Sequence, residues 1–299
     1  MNKLYTLVFS VACLTYSSCI TQKIKKTEQQ ITSAKAIVAN TQAKLSTLQS
    51  ESNSKLSQGK IDSTLLVIYN QKINTIQQKN DSITTDINEI TRLLTNKKAF
   101  SKSYQSEVLP KLQAINTYQL QSSSSKILAM LEDGLNNSNF HLFDLAAFFG
   151  PGKYAIPSHK KDLAVTSFNP MLDSVIGFAN KYATLPRTAT LIVLGFADGQ
   201  GFNEQNPATD TLKMLLQNET ANTAQLNQKL SELRAEELIN VLSLRFLQRV
   251  SEIQGADLFK IDYIGRGKGE TYPLPFIKDY KVNDDRRRIV LCYWTVLPN

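Results

Sequence analysis

At 299 residues the chain is longer than one average domain but does not require two globular ones. Its 34 Lys and Arg against 26 Asp and Glu leave a formal charge of +8, which suits an anionic partner such as nucleic acid or a membrane surface, or simply a solvated basic surface. The only histidines, His141 and His159, have no cysteine or acid at metal-ligand spacing, which argues against a histidine-based metal centre.

The chain opens on MNKLYTLVFSVACLTYSSC: Lys3, an apolar run from Leu4 to Leu14, small polar residues, then Cys19. The run is too short, and too closely followed by polar residues, for a comfortable membrane span, and its layout is that of a secretory signal. It resembles a bacterial lipoprotein signal, with Ser17 and Ser18 before the cysteine and Leu14 upstream. That resemblance implies a signal peptide over 1–18 and lipidation at Cys19. Cys13 competes for the role but would leave a very short apolar run, and an uncleaved anchor is the other alternative. With Cys19 acylated and Cys13 removed, Cys292 would stand alone and no intramolecular disulfide could form. Export also removes nucleic acid from the expected partners.

From Ile20 to Leu94 the sequence holds no proline and one glycine, Gly59. Steps of seven from Ile24 pass through Ile31, Val38, Leu45, Leu66, Ile73, Ile87 and Leu94; a companion series from Ile20 passes through Ala34, Leu48, Tyr69, Ile76, Ile83 and Ile90. Two series in constant phase predict a coiled-coil rod over 19–98, and with it a homo-oligomer. Ser52, Lys55, Gly59 and Asp62 interrupt the seam, so the coil loosens or turns back there. A continuous helix would reach roughly 110 Å and a hairpin about half that; the unbroken phase favours the continuous form. Asn80 at a core position is either a register-fixing polar residue or a weak spot. Residues 99–138 predict a helical neck interrupted at Pro110, its last helix, KILAMLEDGLNN, ended by Gly134 and the asparagines.

Beyond Asn139 strands and helices alternate. LFDLAAFF leads into a first strand, NPMLDSVIGFANKYA has helical spacing, TATLIVLGFAD is a strand, AQLNQKLSELRAEELINVLSLRFLQRV is a long helix, and LFKIDYIGRG and RRRIVLCYWTVL are strands. The fold class is therefore α+β: an α-helical coiled coil followed, over 139–299, by an α/β sandwich of about four strands with helices packed on one side.

Four pieces of this block, in order, resemble the peptidoglycan-binding OmpA-like domain family. GFADGQG looks like the family's G-(aromatic or His)-T-D-x-x-G, NQKLSELRAEEL is close to N-x-x-L-S-x-x-R-A, GRGKGETYP resembles G-x-G-x-x-x-P, and RRRIVL matches N-R-R-V-x-I. Read alone, Asp198 is a loop residue that turns the chain and Arg234 a solvated helix residue. The resemblance implies instead that Asp198 binds the ammonium of a diaminopimelate residue in the stem peptide and Arg234 its neighbouring carboxylate. Such a centre carries a cation and an anion a few ångströms apart, and an acceptor-only group with a planar donor fork suits it. Asn227, Leu230 and Arg234 fall on one helical face, and the resemblance implies that Leu230 packs under the ligand's aliphatic stem. Gly199 beside Asp198 would let ligand and backbone N–H groups approach. Asn227 is expected to cap the helix and to tie down the loop. Arg287 either supports the pocket from behind or belongs to an edge charge run, Arg286 to Arg288.

The chain departs from the family at Ala197 for Thr, Arg286 for Asn, and Gly150 and Gly152 where acids are common, and an insertion at about 202–225 would cover the pocket, extend it or present a partner surface. No nucleophile-elbow or phosphate-loop pattern occurs, and GRGKGE lies between late strands instead of opening a helix. The expectation is a non-enzyme with no catalytic residue, metal or cofactor. It would be an outer-membrane lipoprotein facing the periplasm that binds peptidoglycan and tethers membrane to wall, or else a scaffold whose coil and OmpA-like domain recruit envelope proteins.

Overall fold

The computed structural model describes residues 20–119, 126–138, 141–142, 149, 152–199, 201–203, 205–274, 277–282, 284 and 286–299, together with the backbone of the helical or strand positions 2–19, 120–123, 140, 143–144 and 285. Cys19 and the leader side chains lie outside the described residues, as does Gly150. The chain divides into two compact units: Met1–Ser50 with Asn70–Ala129, and Glu51–Tyr69 with Met130–Asn299. Among the described residues no helix is long and apolar enough to cross a membrane.

The first unit is helical. Helix α1 (Asn2–Ser57) and helix α2 (Ser63–Leu94) are joined by a turn in which Gly59 takes a left-handed φ of 68° and Asp62 Oδ1 accepts from the Leu65 amide at 3.0 Å. Gly59 tolerates that φ because it has no Cβ, and the aspartate caps the new helix. Gln49 meets Asn70 at 2.9 Å and Gln42 meets Gln77 at 2.6 Å, so α1 and α2 run antiparallel. The continuous rod is thus corrected to a hairpin: the heptad phase survives the turn, but the seam residues face their own chain.

The segment expected as a neck is also corrected. Helix α3 (Lys97–Ser103) and helix α4 (Leu109–Ser123) bring Phe100, Val108, Leu112, Ile115 and Tyr118 into one apolar cluster with Ile24, Ile31 and Ala34 of α1 and Ile83, Ile87 and Ile90 of α2. Between α3 and α4 lies a π-helical turn, Tyr104–Val108, just before Pro110. Pro110 has no amide hydrogen, and the widened turn accommodates its ring without ending the helix. Asn80 is buried and fully engaged: its amide donates to Val38 O at 3.3 Å and Gln42 at 3.4 Å, and Tyr118 donates to its oxygen at 2.6 Å. It fixes register among three helices of one chain, since any slip would strand a buried amide.

The second unit is built on a four-stranded sheet, ordered β1 (Phe140–Asp144), β4 (Ile289–Pro298), β2 (Arg187–Gly195) and β3 (Phe259–Gly267). β4 is antiparallel to both neighbours, and β2 pairs parallel with β3, Gly195 opposite Gly267. The parallel pair requires a crossover. That crossover includes helix α8 (Pro207–Leu216) and the long helix α9 (Thr223–Arg249). Helix α9 starts in a capping box, Asn222 with Gln225, which satisfies the first free amides. Helices α6 (Lys161–Ser167), α7 (Asn169–Lys181) and α9 bury one sheet face, with Phe168, Leu172, Val175, Leu238 and Leu242 packed on Ala189, Leu191, Val193, Cys292 and Trp294. The α+β class and four-stranded sheet are as expected.

Alternation along β4 turns Tyr293, Thr295 and Leu297 to the opposite face, and these too are buried. Part of the hairpin tip covers them: Tyr69 Oη lies 2.7 Å from Thr295 Oγ1 and 3.0 Å from Ser138 Oγ. Helix α5 (Lys126–Asn137) adds to this layer, and Lys55 donates to the Leu135 carbonyl at 2.7 Å. Gly134 does not end α5 as expected: it lies inside the helix, where a Cβ would come 3.2 Å from Val296 O and 3.1 Å from Tyr69 Oη. The seam interruption thus belongs, with Glu51–Tyr69, to the sheet-containing unit.

Candidate functional site

The end of β2 delivers the chain to the site. Phe196 N–H donates to Ile289 O at 3.1 Å, Ala197 N–H to Gly269 O at 2.8 Å and Gly199 N–H to Val282 O at 2.8 Å. These three tethers to the β3–β4 connection and β4, two before Asp198 and one after it, hold Asp198 in place. Asp198 is 7% exposed as a residue, and its Oδ2 makes no hydrogen bond. Arg288 Nε stands 3.6 Å from that oxygen, within ion-pair distance but longer than a hydrogen bond.

Helix α9 supplies the opposing wall. It approaches the sheet closely because Gly195 has no side chain: a Cβ there would lie 2.2 Å from Ser231 O. Asn227, Leu230 and Arg234 follow on the same face and line one cavity of about 220 Å³ with Asp198. Arg234 is 2% exposed, donates through Nε to Lys153 O at 3.0 Å and through Nη1 to Phe196 O at 3.4 Å, and lies 5.8 Å from the Phe149 ring centre. Burial draws its pKa down to about 10, Asp198 opposing this and Arg288 adding to it. It remains a cation at neutral pH.

Several expectations change in detail. Asn227 does not cap α9, a role Asn222 fills; its amide donates to Glu270 at 2.8 Å and ties the β3–β4 connection to the helix. Gly199 does not line the cavity and its N–H is engaged by Val282 O; a Cβ there would lie 2.8 Å from Val282 Cγ1, so the glycine serves packing. Arg287 is buried outside the cavity lining, where it donates to Val282 O at 2.6 Å and to Glu270 O, and lies 4.8 Å from the Tyr272 ring centre. It holds the connection that supports the Asp198 loop.

Sequence reasoning missed Arg288 as a lining residue, although it sits next to Arg287 in the run and adjacent positions at a strand entrance point opposite ways. The insertion extends the cavity, one of the three roles expected of it, through residues that the sequence reading did not single out: Phe202, Asn203 and Asn206 line the cavity, and Leu212 packs with Leu226 and Leu230 in an apolar cluster. Gly152 completes the rim from the β1–α6 connection. Among the described residues no group of His, Cys, Asp and Glu is placed to hold a metal. Cys292 is free and buried, and burial pushes its thiol well above the usual range. Such a thiol is a poor nucleophile.

The cavity thus offers one acceptor-only carboxylate, two guanidinium groups and a leucine floor, a set suited to a small zwitterionic centre on an aliphatic stem, with asparagine side chains on its rim. The chain is similar to a crystal structure of a MotB-like protein from Desulfovibrio vulgaris at 15% sequence identity and a TM-score of 0.31, the alignment covering 60% of this chain and 91% of that one. No protein-family model matches the sequence, and no curated protein matches it.

Proposed function

We propose that the chain is a cell-envelope protein that binds peptidoglycan non-covalently through the diaminopimelate of the stem peptide. The observation that carries this reading is a buried carboxylate oxygen with no hydrogen bond, Asp198 Oδ2, in the same cavity as Arg234. An unsatisfied buried acceptor is costly, and a ligand ammonium supplies the missing donors. Arg234 and Arg288 then receive the adjacent carboxylate, and Leu230 meets the methylene stem. The ordered motifs around Asp198, Asn227–Leu238 and Arg287 support the same choice of ligand.

Titration of the purified protein with meso-diaminopimelate and with Nα-acetyl-lysine amide tests it. The blocked lysine keeps the side-chain ammonium and methylene stem but has no carboxylate, so saturable binding of diaminopimelate, and binding of the blocked lysine at least about tenfold weaker, is expected. Equal binding of the two would remove the charge-pair basis of the reading.

In this reading Cys19 carries the lipid, the protein sits at the outer membrane facing the periplasm, and the domain links membrane to wall. One acyl chain holds weakly whereas several hold firmly. Replacing Cys19 with Ser should move the protein from the membrane to the soluble fraction after cell lysis; retention in the membrane would contradict a lipid anchor. A second reading, an adaptor for envelope proteins, is favoured by Met214 and Leu215 of α8, which are 65% and 43% exposed. A wild-type protein that binds no diaminopimelate would favour it.

A further inference from the structure

The insertion places two asparagines on the cavity rim with a defined orientation. Asn203 Oδ1 accepts from the Gln205 amide at 3.0 Å, and Asn206 Oδ1 accepts from the Ala208 amide at 3.0 Å as it caps α8. A backbone N–H can only be met by the amide oxygen, so each side-chain NH2 is turned away from its own turn. Both residues line the same cavity as Asp198 and Arg234, and both are otherwise exposed. The insertion is held in place independently of any ligand: Leu212 packs against Leu226 and Leu230 of α9, and Thr209 donates to the Asn203 carbonyl at 2.8 Å.

Asp198 and Arg234 together satisfy a single amino-acid centre, one ammonium and one carboxylate. The two asparagine NH2 groups lie beyond that requirement, on a separate segment, and neutral amide donors match peptide carbonyls. Phe202, between the cavity and the apolar cluster, adds a surface for an aliphatic stretch of chain. We propose that Asn203 and Asn206 form a second subsite that grips the peptide backbone flanking the zwitterionic centre, so that the cavity recognises diaminopimelate within a peptide in preference to the free amino acid. This rests on the reading given above for Asp198 and Arg234 and extends it to a longer ligand.

The test compares two probes, free meso-diaminopimelate and the synthetic stem tetrapeptide containing it, by calorimetric titration of the detergent-solubilised full chain. Wild type should bind the tetrapeptide about tenfold more tightly than the free amino acid, the contribution expected of two neutral hydrogen bonds. The double variant Asn203→Ser/Asn206→Ser keeps a capping oxygen and neutral charge but shortens the reach; it should bind free diaminopimelate as wild type does and lose the tetrapeptide margin. Asn203→Asp/Asn206→Asp, which retains length and cap but replaces the donor, should also lose the margin. Unfolding temperatures close to wild type would show the insertion intact in both. A margin that persists in either folded variant, or no margin in wild type, overturns the second subsite while leaving the Asp198–Arg234 reading in place. Failure of both probes to bind wild type would overturn the two together.

Discussion

Replacing Gly195 with alanine is expected to destabilise the sheet-containing unit by about 3 kcal/mol, the upper part of the usual overpacking range. The added Cβ would sit 2.2 Å from Ser231 O and 3.1 Å from Ser231 C, both backbone atoms of α9. No rotamer change relieves a clash with backbone, so either the helix moves off the sheet or the end of β2 bends. Either movement also separates Leu230 and Arg234 from Asp198, and ligand affinity should fall with stability. Gly177 of α7 is the control: a Cβ there meets nothing within 4 Å, and alanine should raise stability by about 0.5–1 kcal/mol through helix propensity. Thermal unfolding followed by circular dichroism separates the two. Gly195→Ala should melt roughly 6–12 °C below wild type. A wild-type melting temperature would mean that α9 does not depend on the missing side chain for its approach.

Much of the sheet-containing unit was legible because its elements are long and strongly patterned. β2 and β4 are nearly continuous apolar runs, as strands buried on both faces must be. α9 is a long helix in which Asn227, Leu230 and Arg234 return to one face at helical spacing. The heptad phase of α1 and α2 was equally legible, but phase does not say which chain supplies the partner. Gly59 and Asp62 were recognised as a place where the coil loosens; that they carry a turn whose following helix brings Tyr69 to Thr295 depends on a contact across 226 positions, which no local pattern encodes. Gly134 reads locally as a stop signal, but its role is space for the sheet, and that space is tertiary. Within the site, residue type and spacing pointed to Asp198 and Arg234, whereas Arg288 was hidden in a charge run and Asn203 and Asn206 in an insertion of polar residues. Asn227 was assigned a cap because a polar residue near a helix start is the local signal, but Asn222 lies at the actual boundary with Gln225 to complete the box.

Removing either member of the central charge pair is the other large effect expected. Asp198 and Arg234 are both buried, and truncating one partner of a buried, hydrogen-bonded charge pair in a complex typically costs about 2–5 kcal/mol, roughly 30-fold to several thousandfold in affinity. Asp198→Asn tests the charge without a change of shape: it keeps an acceptor oxygen but gives up the ionic contact with an ammonium, so most of the loss should persist. Arg234→Lys tests the geometry, since lysine retains the charge but not the planar fork that can donate to Lys153 O, Phe196 O and a carboxylate together. Arg234→Ala also withdraws donors from two backbone carbonyls beside the site, so its effect should equal or exceed that of Asp198→Ala.

The most direct measurement is co-sedimentation of the protein with purified diaminopimelate-type sacculi, comparing wild type with Asp198→Ala and Arg234→Ala at matched concentration and salt. The account predicts that wild type pellets with the sacculi, that free meso-diaminopimelate displaces it, and that both variants remain in the supernatant while unfolding cooperatively on heating. Wild type left in the supernatant, or folded variants that pellet as wild type does, would contradict it.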